Sequence, residues 1–100
     1  MDPLTALQEW YQRHCDGEWE HGHGVTIQSC DNRGWWVRIG IAGTELETRS
    51  FLPVRVNVDA RRFQEGPRWL CCHVENGVWN GAGDETRLPD IIARFLAWAQ

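Results

Sequence analysis

The sequence predicts an α+β fold: an antiparallel sheet of about five strands in a meander, flanked by an N-terminal and a C-terminal helix. Apolar residues recur at three- and four-residue spacing only near the two ends, over 4–14 and 88–99. Between those ends, short runs alternate apolar and polar residues as half-buried strands do. The runs are separated by brief turn signals, too short for the crossover helices that a parallel sheet needs. At 100 residues the chain is expected to be one domain, 1–100, able to bury a core without disulfide or metal.

The first helix is expected over about 3–14, with Asp2 capping free N–H groups and Pro3 in the first turn. Leu4, Leu7, Tyr11 and His14 form its apolar stripe, widened by Trp10, and Gly17 offers a left-handed stop. A hairpin follows: Val25, Ile27 and Ser29 alternate with Thr26, Gln28 and Cys30, and "DNRG" (31–34) turns the chain. Trp35, Val37, Ile39 and Ile41 give the return strand its apolar face, which leaves Trp36 and Arg38 on the other. Segment 45–59 reads as a third strand centred on Val54, Val56 and Val58, with Pro53 marking an edge or bulge. "DARRFQEGP" (59–67) reads as a loop, and Asn76-Gly77 within 68–79 marks a second, tight hairpin. "NGAGDET" (80–86) reads as a flexible connection. The closing helix begins near Leu88-Pro89 and presents Ile91, Ile92, Phe95, Leu96 and Ala99 on one face.

Composition narrows the function classes. The net charge is −4, with ten arginines, no lysine and no basic stripe, so nucleic acid is not an expected partner. The N-terminus lacks the basic start and apolar run of a signal peptide, and no apolar stretch is long enough to span a membrane. Cys15, Cys30, Cys71 and Cys72 lack zinc-like or redox-motif spacing and are expected to be free thiols in a reducing cytoplasm. Of seven tryptophans, Trp10, Trp35, Trp69 and Trp98 fit apolar faces, whereas Trp19, Trp36 and Trp79 are harder to bury. An outward Trp36 beside Arg38 is the chemistry of a protein-binding surface, unless a loop or a second copy of the chain covers it.

The stretch "HCDGEWEHGHG" (14–24) could in principle do chemistry. His21, His23 and Cys15 are the available metal ligands, but their spacing does not supply two turn-set pairs, so no metal or other cofactor is expected. Cys15 sits at a helix C-terminus, whose partial negative charge disfavours a thiolate nucleophile. Asp16, Glu18 and Glu20, in an extended segment, would share one face and read as a solvated row. "GAG" (81–83) lacks the spacing and lysine of a phosphate loop. The sequence carries no enzyme signature.

"LQEWYQRHCDGEWEHGHGVTIQSCDNRGW" (7–35), "GTELE" (43–47) and "WLCCHVENGVWNGAG" (69–83) with the closing helix resemble the immunity protein 53 (Imm53) family of bacterial polymorphic toxin systems. The "CDGEWEH" run followed by the "DNRGW" turn carries most of the resemblance, and segment 48–67 the least. Trp36, the second tryptophan of "GWW", is not an expected family feature. The resemblance implies a cytoplasmic antidote that binds a cognate toxin domain without catalysis and needs no cofactor. The expected contact residues are Asp16, Glu18, Trp19 and Glu20, together with Trp36 and Arg38. The competing readings are a small metal- or thiol-dependent enzyme centred on Cys15, His21 and His23, and a structural subunit burying its tryptophans in a homodimer.

Overall fold

A computed structural model describes residues 2–31, 33–58 and 67–100. The chain runs α1 (Pro3–His14), a one-turn α2 (Trp19–Gly22), β1 (Val25–Cys30), β2 (Gly34–Gly40), β3 (Val54–Val56), β4 (Leu70–Glu75), β5 (Val78–Asp84) and α3 (Leu88–Ala99). α1 starts as its capping chemistry demands. Asp2 Oδ1 accepts the Thr5 N–H at 2.8 Å, and the Thr5 hydroxyl donates to Oδ2 at 2.8 Å. It stops on an extended Cys15, so Gly17, at φ 95°, belongs to the following turn and is not the helix cap expected of it.

The fold class is the expected one: a five-stranded antiparallel sheet flanked by the two terminal helices. Both hairpins form, β1 with β2 and β4 with β5, the second turning at Asn76 (φ 52°) and Gly77 (φ 74°). The strand order, β1-β2-β5-β4-β3, departs from a plain meander at one step. After β2 the chain leaves its neighbour's place to β5 and crosses to the far edge. β3 is also much shorter than the strand expected over 45–59. Residues 44–49 instead make successive turns, Thr44 N–H to Ile41 O, Glu47 N–H to Thr44 O and Arg49 N–H to Leu46 O, which insert Leu46 fully into the core. The loop expected over 59–67 lies, apart from Pro67, outside the described residues, as does Asn32 of the first hairpin turn.

The larger correction concerns "NGAGDET". Its residues up to Asp84 are no flexible connection but part of β5, the middle strand of the sheet. Glycine is needed there for space. A Cβ at Gly81 would lie 2.5 Å from Ile91 Cγ2 and 2.7 Å from the Trp79 ring. The missing side chain lets α3 approach the strand and lets the Trp79 indole lie across it. Trp79 is consequently at the centre of the core with no exposed surface, contrary to the expectation that it would be hard to bury. It packs edge-on against Phe95 at 5.3 Å and Phe51 at 5.9 Å, and Phe95 meets Trp10 at 5.0 Å. Val37, Ile39, Leu70 and Cys72 complete the helix-covered face, and burial pushes the Cys72 thiol up to about 12. Trp35, Trp69 and Trp98 are only partly buried.

At the end of β5, the buried Asp84 ties three segments together. Its Oδ1 accepts the Thr86 N–H at 2.9 Å and the Thr86 hydroxyl at 2.7 Å, and its Oδ2 accepts the Arg68 N–H. These bonds, the Thr86 hydroxyl foremost, hold its carboxyl below the ordinary aspartate value.

Two predictions follow from this packing. Gly81→Ala should destabilise the fold by about 1–3 kcal/mol through overpacking, read as a lower urea midpoint at unchanged m-value. Because the Asp84 pKa is depressed on folding, its stabilisation is present above the unfolded value, about 4, and is lost as pH falls through the folded one. Asp84→Asn should therefore be less stable than the parent at pH 7, and the gap should close in acid; a gap independent of pH would contradict this.

Candidate functional site

The "CDGEWEH" run folds into a self-contained turn. Asp16 Oδ1 accepts the N–H groups of Glu18 and Trp19, both at 2.9 Å, just ahead of α2. Glu20 reaches back in the opposite sense, accepting the N–H groups of Asp16 and Gly17 at 2.9 Å. The Asp16 carboxyl is lowered chiefly by the Trp19 N–H and then by that of Glu18. The Glu20 carboxyl is lowered by its own N–H first, then by those of Asp16 and Gly17. The segment is thus a reciprocally hydrogen-bonded turn and not the extended row of like charges expected from the sequence. Glu18 alone of the three acids makes no side-chain hydrogen bond among the described residues.

Trp19 is buried at 8% exposure, which corrects the expectation that it would be hard to cover. Its indole N–H donates to Ala42 O at 3.0 Å, and its ring meets Trp10 edge-on at 5.8 Å. Gly43 (φ 81°) lies under the ring, where a Cβ would stand 3.3 Å from Trp19 Cδ1. Next to it, His14 bridges two elements: Nδ1 meets Trp10 O at 2.8 Å and Nε2 meets Glu45 Oε2 at 2.9 Å. That contact leads the causes lowering the Glu45 carboxyl. "CDGEWEH" and "GTELE", separate in sequence, are therefore one packed unit.

The residues of the enzyme alternative, Cys15, His21 and His23, all lie at the surface. Cys15 Sγ donates to Tyr11 O at 3.3 Å, and His21 and His23 are exposed. Among the described residues, no group of three or more His, Cys, Asp or Glu side chains is placed to hold a metal ion.

The face of the sheet opposite the helices carries the second half of the expected site. Strand register places Gln28, Trp36, Ala82, Cys71 and Arg55 in one row across all five strands. Thr26, Arg38, Asn80 and His73 form the next row. Trp36 is 38% exposed, and the Arg38 guanidinium carbon stands 5.1 Å from its ring centroid, a cation–π contact. Two shallow grooves share Gly22 and His23 in their linings, and the first of them reaches this face. One, of about 370 Å³, has Arg38, Thr26 and Gly40 on its wall; the other, of about 340 Å³, has Asp16, Glu18 and Gly43. Both are bounded by Gly22 and His23, so the acidic turn and Arg38 lie on either side of one ridge. Asn80, His73 and Arg55 belong to this surface but were not picked out by sequence reasoning. The Asn76-Gly77 turn fixes His73 opposite Asn80, yet nothing local says that β5 lies beside β2.

The fold is thus an α+β arrangement with helices on one sheet face and Trp36 and Arg38 together on the other. The immunity protein 53 family model matches residues 4–100, nearly the whole length, and the chain belongs to that family. No curated protein and no solved structure matches it. Among the described residues, no helix is long and apolar enough to cross a membrane.

Trp19→Phe keeps an aromatic ring but removes the bond to Ala42 O. It should cost about 1–3 kcal/mol in chemical unfolding, while Glu18→Gln, at a side chain with no such bond, should leave the midpoint unchanged.

Proposed function

We propose that the chain neutralises a cognate toxin domain in the cytoplasm by stoichiometric, non-catalytic binding. The observation that carries this reading is Trp36, a large aromatic side chain held on an open sheet face with Arg38 beside it. Tryptophan and arginine dominate interface energetics because they combine large contact area with a fixed geometry. The contact surface is the Trp36–Arg38 face together with the turn across the Gly22–His23 ridge. Glu18 offers its free carboxylate to a basic group of the toxin, and the unshared oxygen of Asp16 offers a second acceptor. Trp19 and Glu20 serve the surface by holding that turn in shape. A standard interface needs about 800 Å² from each partner, which a sheet face of five strands and its flanking turn can supply.

Co-expression with the toxin domain encoded beside it should restore growth and yield a one-to-one complex. Trp36→Ala combined with Arg38→Glu should weaken binding at least about tenfold with an unchanged unfolding midpoint. A toxin that stays active and unbound in the presence of the folded protein would overturn the reading. Should Cys15→Ala with His21→Ala abolish protection while binding persists, the thiol-enzyme alternative takes its place.

A further inference from the structure

The five strands contain four Asp, Glu or Arg side chains, and strand register puts all four on the face away from the helices. Asp84 is buried, and its carboxylate is taken up by the Arg68 and Thr86 donors. Glu75, at the hairpin end of β4, has its Oε2 3.7 Å from His73 Nε2. Arg38 and Arg55 are exposed, and neither forms an ion pair among the described residues. The open face therefore carries two exposed cations against one exposed acid. That is the reverse of the whole chain, in which 14 acids outnumber 10 arginines.

The two arginines stand toward opposite sides of the face. Arg38 is on β2 and Arg55 on β3, with β5 and β4 between them, so about 14 Å of sheet separates their strands. Trp36 shares a row with Arg55, and the register sets Ala82 and Cys71 between them. Ala82 has the smallest side chain of that row and lies on the middle strand, so the row is low at its centre. The Arg38 guanidinium carbon lies over the Trp36 ring, 5.1 Å from its centroid. Stacking uses the flat face of a guanidinium and leaves its in-plane N–H groups to hydrogen-bond.

Building on the proposed toxin binding, we infer that this face takes an acidic patch of the toxin. One carboxylate is held by Arg38 beside Trp36, a second by Arg55, and the toxin surface between them seats over Ala82. Charge complementarity selects this partner. A carboxylate accepts two parallel N–H bonds from one guanidinium, and neither guanidinium here is committed to an acid of its own chain. An apolar partner would instead strip water from two unpaired cations with nothing to offset the loss. A nucleic acid also offers anions, but a chain of net −4 repels a polyanion, and two cations on this face do not reverse that. The turn bearing Asp16, Glu18 and Glu20 carries the opposite sign, so the two parts of the contact fix which way round the toxin docks.

Affinity for the purified toxin domain is measured with the parent and with Arg55→Lys, Arg55→Gln and Arg55→Glu. Arg55 is exposed without an ion pair among the described residues, so the unfolding midpoints should agree. The parent and Arg55→Lys should bind most tightly, Arg55→Gln less so, and Arg55→Glu at least about tenfold more weakly than the parent. The gap between the parent and Arg55→Glu should narrow as salt is raised, because screening weakens a Coulombic contact. A merely structural role for Arg55 would leave that gap fixed. Equal affinities of the Gln and Glu variants, or a Glu variant that matches the parent, would overturn the acidic patch while leaving toxin binding in place. A parent that leaves the toxin unbound would overturn both. Binding of a DNA or RNA oligonucleotide by the parent, lost in Arg55→Glu, would overturn the acidic protein patch in favour of a nucleic acid.

Discussion

The close approach of α3 to the middle of the sheet is the constraint on which the remaining architecture depends. A helix packed over a strand ordinarily rides on that strand's side chains, but at Gly81 the Ile91 methyl group and the Trp79 ring occupy the space a Cβ would take. Trp79 can then lie flat in the middle of the core, where Phe95 and Phe51 pack against it edge-on. β5 must be central for this to happen, which gives β2 a neighbour distant in sequence and sends β3 to the far edge. The crossing after β2 is thus a consequence of where the glycines stand.

That crossing also gathers the ends of the helices. Ala42 O receives the Trp19 indole N–H, and Glu45 meets His14 at the end of α1. Arg49 donates to the carbonyls of Trp98 and Gln100 at 2.8 and 3.0 Å, satisfying acceptors that α3 leaves open at its C-terminus. The Trp98 indole answers by donating to Ser50 O at 2.8 Å. A segment without regular structure therefore serves as the clamp at one end of the molecule, and the motif richest in reactive side chains is part of that clamp.

The fold divides its surfaces by chemistry. Burial on the helix side consumes almost all of the large apolar side chains, leaving a mixed polar face where one tryptophan and one arginine stand together. In the proposed role, this is the face that would meet the toxin. Aromatic area supplies affinity, while charged groups around it penalise wrong partners.

Much of this was legible locally. Asp2-Pro3 and the apolar spacing located α1, Asn76-Gly77 located the second hairpin, and alternation along β2 placed Trp36 and Arg38 on one face. These features depend on interactions within a few residues, which is why sequence alone determined them. The glycines of β5 read as flexibility because their role is defined by what approaches them, namely Ile91 and Trp79. Trp19 read as exposed, and its neighbouring acids as a solvated row, because Gly43, Ala42 and the hydrogen-bonded turn that accommodate them are invisible in a linear pattern. Strand order, the fate of each tryptophan and the packing of the acidic turn against Ala42 and Gly43 were decided by tertiary structure. Each depends on contacts between segments far apart in the chain, and only the folded packing specifies which segments those are.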